Sequence, residues 1–122
     1  PRTAKNLRDL DSNTPQLNYV DPLAYLEFNY LVKHAKGVIT DSGGITEETT
    51  VLGIPCLTLR DNTERPETII IGTNELIGTD PSKLPPALAK LMAGQWKKGA
   101  IPPKWDGKAA ERIVQCLENV LV

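Results

Sequence analysis

An α/β fold on a mostly parallel sheet is the architecture this sequence predicts, and three observations carry it. Short apolar runs alternate with longer stretches whose apolar residues recur at helical spacing. Glycine and proline fall at the ends of those stretches, where they stop helices or start them. One apolar run, Gly37-Val38-Ile39-Thr40, passes directly into Asp41-Ser42-Gly43-Gly44 and then a helix-like segment. Alternating strands and helices imply a parallel sheet covered by helices, and such sheets bind ligands outside the carboxyl ends of their strands.

The elements follow in order. Residues 17–20, Leu-Asn-Tyr-Val, make a short first strand. Asp21-Pro22 opens a helix whose apolar face is Leu23, Leu26, Phe28, Leu31, Val32 and Ala35. Residues 37–40 form the second strand. Residues 45–52 form a helix that Gly53 ends, with Pro55 behind it. Residues 55–59 form a third strand, and residues 66–71 a short helix stopped by Gly72. Residues 75–78 make a weak fourth strand. Leu84, Leu88, Leu91 and Met92 mark a further helix, with Pro85-Pro86 confined to its first turn because proline in the interior breaks a helix. Trp96 and Trp105 flank a loop and pin it by burial. Asp106 caps a last helix with apolar face Ala110, Ile113, Val114, Leu117 and Leu121.

Composition narrows the function. The 122 residues suffice for one small domain. A net charge of −1 gives no basic field for nucleic acid or a membrane surface. No run of about 18 apolar residues and no signal-peptide pattern occurs. Cys56 and Cys116 lack metal-ligand spacing and read as small core residues of a reducing compartment. A single histidine, His34, argues against structural zinc and reads as a surface or helix-end capping group. A start on Pro1 rather than Met suggests a processed or excised chain.

The strand-to-helix turn at Asp41–Gly44 is suited to a phosphate or diphosphate. Unpaired N–H groups and the positive end of the helix dipole point out of its mouth. Gly43 and Gly44 let the backbone approach an anion, and Ser42 adds a hydroxyl. Glu48 lies one helical turn beyond Gly44 and suits ribose hydroxyls; a solvated acid, as Glu47 is read, serves equally from spacing alone. Arg65, fixed ahead of Pro66, matches phosphate oxygens with its planar fork, or pairs with Glu64, Glu67 or Asp61. Arg60 and Asp61 read as a structural pair. Phe28 packs in the core or stacks on a base. Because sequential parallel strands are usually neighbours, residues 41–48 and 60–67 face one cleft.

Together these segments resemble a known family. Thr40-Asp41-Ser42-Gly43-Gly44-Ile45-Thr46-Glu47-Glu48, Leu52-Gly53-Ile54-Pro55, Leu59-Arg60-Asp61-Asn62-Thr63-Glu64-Arg65-Pro66-Glu67, Gly72-Thr73, Gly78-Thr79-Asp80-Pro81 and Asp106-Gly107-Lys108-Ala109-Ala110-Glu111-Arg112-Ile113 are similar to the carboxy-terminal domain of bacterial, non-hydrolysing UDP-N-acetylglucosamine 2-epimerases. The resemblance implies a Rossmann-like half of a glycosyltransferase-B-like fold. It implies a cytoplasmic isomerase, dimeric or otherwise homo-oligomeric, that serves cell-envelope polysaccharide synthesis and needs no metal or nicotinamide. The reaction it implies interconverts UDP-N-acetylglucosamine and UDP-N-acetylmannosamine by elimination and re-addition of UDP. On this chain it gives the diphosphate to Ser42, Gly43 and Gly44, the ribose hydroxyls to Glu48, a phosphate to Arg65 and the uracil to Phe28.

The resemblance also implies what residues 1–122 are expected to lack. The family's proton-moving carboxylates sit in an amino-terminal domain, so no catalytic residue is assigned to this chain. The first strands of the carboxy-terminal domain are missing too, which in a 3-2-1-4-5-6 sheet removes its centre. The strand at 17–20 is then expected to move beside the strand at 37–40, or chains to associate through that open edge. The alternatives are a hydrolysing epimerase and a non-catalytic UDP-sugar-binding module.

Overall fold

The computed structural model describes residues 15–121. Along them run α1 (Tyr25–His34), β1 (Val38–Thr40), α2 (Gly43–Leu52), β2 (Cys56–Thr58), α3 (Pro66–Ile70), β3 (Asn74–Leu76), a 3-10 turn (Pro81–Lys83), α4 (Leu84–Met92) and α5 (Ala109–Leu121). The strands form a parallel sheet in the order β1-β2-β3, with Ile39 beside Leu57 and Leu57 beside Glu75. All three carboxyl ends therefore emerge on one side. The ladder runs past the strands there, since Leu59 N–H donates to Thr40 O at 2.8 Å and Ile77 N–H to Thr58 O at 2.9 Å.

The local chemistry explains most boundaries. Gly53 ends α2 in the left-handed conformation, φ 72°, and its N–H returns to the Thr49 and Thr50 carbonyls. Pro66 occupies the first turn of α3, and Pro85 and Pro86 that of α4, where no helical N–H is required of them. Asp80 caps the 3-10 turn by accepting from Ser82 N–H at 2.9 Å. His34 Nδ1 meets Tyr30 O at 2.7 Å, the helix-end role expected of it.

The first strand does not form. Residues 17–20 join no sheet, and Leu17, Tyr19 and Val20 are all more than half exposed. The strand at 17–20 therefore does not move beside β1. β3 comprises Asn74–Leu76, starting one residue before the run at 75–78 and ending two residues before that run does.

The core is unusual in content. Among the described residues its buried apolar members are Val32, Cys56, Leu57 and Ile77, while Thr40, Thr46, Thr49, Thr50, Thr58, Thr68, Thr73 and Asn74 are also buried. Burying a hydroxyl is tolerable only if it is bonded. Thr49 Oγ1 donates to Ile45 O at 3.0 Å, Thr50 Oγ1 to Thr46 O at 2.8 Å and Thr73 Oγ1 to Ile54 O at 2.6 Å. Each threonine then packs like valine. Leu57, fully buried at the sheet centre, contributes roughly 2 kcal/mol on transfer alone.

The predicted apolar face of α1 is mostly outside. Leu23, Leu26 and Leu31 are exposed, Phe28 is half-buried and only Val32 is enclosed. Cys116 is exposed, which corrects its reading as a core residue, whereas Cys56 is buried as expected. Asp106 does not cap α5. It precedes the cap position by two residues, accepts from Lys108 N–H at 3.0 Å and pairs with Arg112. Trp96 and Trp105 are half-buried, and Trp96 ties its loop down by donating Nε1–H to Thr73 O at 2.8 Å.

Candidate functional site

Two cavities open beside α2, and the first turns of that helix separate them. One is polar, about 230 Å³, and lies between the start of α2 and the β2–α3 loop; Gly43, Gly44, Thr58, Arg60, Asn62 and Arg65 line it. The other is larger, about 760 Å³, and lies between α1 and α2; Tyr25, Leu26, Tyr30, Val51 and Trp105 give it apolar walls, and Glu48 faces it. Glu47 lines both.

The polar cavity is built by the parallel sheet. β1 and β2 end side by side at Thr40 and Thr58, so the segments that follow them meet at one end of the sheet. Ser42 is the cap residue of α2, extended at φ −85° and ψ 127°, and its hydroxyl bonds none of the helix's first N–H groups. Its own N–H donates to Thr40 Oγ1 at 3.0 Å. Gly43 and Gly44 begin the helix, and a Cβ added at either meets no atom within 4 Å. No neighbour among the described residues forces glycine there. α2 begins earlier than the sequence suggests, so Glu47 lies beyond the first turn rather than in it.

Arg65 is held from both ends. Its Nε–H donates to Glu47 in an ion pair across the cavity, and that carboxylate pushes its pKa further up. Neither Glu64, Glu67 nor Asp61, the partners spacing suggests, takes the pair. At the backbone, Arg65 O accepts from Thr68 N–H at 3.1 Å and from Thr68 Oγ1 at 2.8 Å. Thr68 Oγ1 in turn accepts from Asn74 Nδ2 at 3.2 Å, and Asn74 Oδ1 from Thr58 Oγ1 at 2.6 Å. Thr58, Thr68 and Asn74 are all essentially fully buried.

The structure thus brings Gly43, Gly44 and Arg65 to one cavity and puts Glu48 on the other. Phe28 lines neither; Tyr25 and Tyr30 are the aromatic rings of α1 that face the larger cavity. Sequence reasoning missed those two tyrosines, although Leu26, taken as part of the apolar face, lines the same cavity beside them. It also misassigned Arg60. No Arg60–Asp61 ion pair exists among the described residues. Asp61 instead accepts from Thr79 Oγ1 at 3.3 Å. Arg60 lines the polar cavity.

Among the described residues no three His, Cys, Asp or Glu side chains gather as a metal site. No helix there is long and apolar enough to cross a membrane. The arrangement offers fixed cationic and N–H donors on one side of α2, and a carboxylate with aromatic walls on the other. That suits a ligand with an anionic part and a flat, hydroxyl-bearing part.

Comparison with known proteins agrees with that chemistry. The family model described as UDP-N-acetylglucosamine 2-epimerase matches residues 1–118. The UDP-N-acetylglucosamine 2-epimerase of the archaeon Methanocaldococcus jannaschii is 41% identical over 124 residues, covering 96% of this chain and 33% of that protein. The Escherichia coli K12 protein of the same name is 41% identical over 104 residues, covering 82% and 28%. The M. jannaschii enzyme in complex with UDP-GlcNAc and UDP superposes at TM-score 0.75 with 42% identity, over 98% of this chain and 34% of that one. A co-structure of S. aureus MnaA with UDP superposes at TM-score 0.80 with 30% identity, over 99% and 34%. Relatives are archaeal as well as bacterial, and the chain spans about a third of their length. The chain belongs to the UDP-N-acetylglucosamine 2-epimerase family.

Proposed function

We propose that residues 1–122 are part of the carboxy-terminal, UDP-binding domain of a non-hydrolysing UDP-N-acetylglucosamine 2-epimerase. The parent enzyme interconverts UDP-N-acetylglucosamine and UDP-N-acetylmannosamine by elimination and re-addition of UDP. This chain supplies the UDP side of the site and does not turn over alone. Ser42, Gly43 and Gly44 take the diphosphate, Arg65 a phosphate, Glu48 the ribose hydroxyls, and α1, through Phe28 or its neighbours, the uracil.

The observation that carries this reading is the convergence of Gly43, Gly44 and Arg65 on one polar cavity, with Glu48 on the next side of the same helix. The chemistry is consistent with it. Breaking the sugar C1–O bond leaves negative charge on the departing UDP. Donors already fixed where that charge develops lower the barrier without reorganising. The segment Thr63-Glu64-Arg65-Pro66-Glu67 favours the non-hydrolysing type over enzymes that release free N-acetylmannosamine.

Calorimetric titration of UDP into the chain, with Arg65→Ala alongside, tests the binding claim. UDP should bind the parent chain and bind Arg65→Ala more weakly; equal binding removes Arg65 from the site. Epimerisation of UDP-N-acetylglucosamine by the chain alone would refute the view that the proton-moving groups lie elsewhere.

A further inference from the structure

The polar cavity holds two guanidinium groups of different standing. Arg65 spends its Nε–H on Glu47. Arg112, away from the cavity, is paired with Asp106. Arg60 is half-buried and, among the described residues, no carboxylate or carbonyl accepts from it. Its sequence neighbour Asp61 turns instead to Thr79 and lies beside Gly78.

We infer that Arg60 is a second anion-binding residue of this cavity, taking the diphosphate of a nucleotide with its whole guanidinium fork while Arg65 stays braced by Glu47. The inference rests on the UDP reading above and adds a residue that the reading leaves out. Its position is set by the sheet. Arg60 follows Leu59, whose N–H is bonded to Thr40 O at 2.8 Å, so the chain leaves β2 at a fixed point beside the start of α2. Gly43 and Gly44 line the same cavity, with open space where a Cβ would stand. An anion there meets helix N–H groups on one side and Arg60 on the other.

Electrostatics separates the two arginines. The Arg65–Glu47 pair contributes little net charge to the cavity. A half-buried cation without a partner is the less satisfied state, and a phosphate meets its planar donors in pairs. Arg60 therefore gains more from the anion than Arg65 does. Lysine at this position keeps the charge but loses the fork, so it restores affinity only in part.

The test is titration of UDP, uridine and inorganic pyrophosphate into the chain and into Arg60→Gln and Arg60→Lys, with thermal unfolding as a check on folding. Expected is a loss of roughly tenfold or more in UDP and pyrophosphate affinity for Arg60→Gln, with uridine unchanged and Arg60→Lys between. UDP binding to Arg60→Gln at the parent affinity overturns the Arg60 assignment and leaves the UDP reading standing. Arg60-dependent pyrophosphate binding with UDP no tighter than pyrophosphate keeps Arg60 and overturns the nucleotide reading. A parent chain that binds none of the three overturns both.

Discussion

Asn74 joins Thr58 to Thr68 inside the molecule: its Oδ1 accepts from Thr58 Oγ1 at 2.6 Å and its Nδ2 donates to Thr68 Oγ1 at 3.2 Å. Thr68 passes the chain on to the carbonyl of Arg65 at 2.8 Å. One buried amide therefore ties β2, β3 and the start of α3 together and fixes the backbone of a cavity-lining arginine. No buried side-chain polar atom among the described residues is left without a partner.

Asn74→Ala should destabilise the chain by about 2–3 kcal/mol, because it strands the buried Thr58 hydroxyl, takes a donor from Thr68 Oγ1 and leaves a small void. Thr68→Val keeps the shape and loses two bonds, so it should cost about 1–2 kcal/mol. Urea unfolding followed by circular dichroism measures both. A change below about 0.5 kcal/mol for Asn74→Ala would mean the network stabilises nothing.

Gly44→Ala and Gly99→Ala should separate ligand-facing glycine from packing glycine. At Gly44 an added Cβ meets nothing within 4 Å, so the folded chain should be unchanged or stabilised by up to about 1 kcal/mol while UDP affinity falls. At Gly99 the Cβ would stand 2.5 Å from the Gly72 carbonyl carbon and 2.7 Å from Thr73 N, backbone that cannot step aside. Gly99→Ala should therefore lower the thermal midpoint by several degrees, roughly the shift of 1–3 kcal/mol. Matched midpoints for the two variants would contradict this division.

Much of this was legible in the sequence, and the exceptions have physical causes. β1, β2 and α2 to α4 follow from local signals: apolar runs, Gly53 and Gly72 as stops, Pro66 and Pro85 as starts. Residues 17–20 carry strand propensity, but a strand exists only when something pairs with it. Asn74 looked like loop material because a buried amide in a strand is acceptable only with Thr58 and Thr68 at hand, and their nearness is tertiary. For the same reason the pairing of Arg65 was misread: its partner Glu47 is distant in sequence, while the acids beside it form no ion pair with it. Gly43, Gly44 and Arg65 were legible as cavity residues because parallel strand order alone brings their loops together.

The two cysteines should react differently. Burial pushes the Cys56 thiol pKa up, so it stays protonated at neutral pH and is shielded as well. Cys116 is exposed on α5. A thiol reagent such as dithionitrobenzoate should titrate one thiol promptly in the native chain and two in denaturant. Protection of both, or prompt reaction of both, would contradict the burial of one alone.

Asp80 should make the turn before α4 sensitive to acid. Its carboxylate accepts from Ser82 N–H at 2.9 Å and from Ser82 Oγ at 2.8 Å, which lowers its pKa below the ordinary 3.8. A carboxylate lowered in the folded state stabilises it above the unfolded pKa and loses that contribution as pH falls through the folded one. The stability difference between the parent chain and Asp80→Asn should therefore be present at pH 7 and vanish in strong acid. A difference that persists unchanged into strong acid would show that the charge plays no part.

α5 and β2 should mark the two ends of the stability range. Every residue of β2 is buried, and its neighbours bond it on both sides. α5 has no buried residue, and Ile113, Val114 and Leu117 on its apolar face are 59%, 53% and 53% exposed. A helix of this length gains most of its stability from packing an apolar face, and isolated it is marginal in water. Hydrogen exchange should therefore release α5 amides through local fraying, near the rate of an unfolded chain, while Leu57 and its neighbours exchange only on global opening. Protection of α5 at dilute concentration that rises further as the chain is concentrated would show the helix packing against a second copy. Protection equal to β2 at every concentration would place its apolar face within the folded chain and contradict the exposure described above.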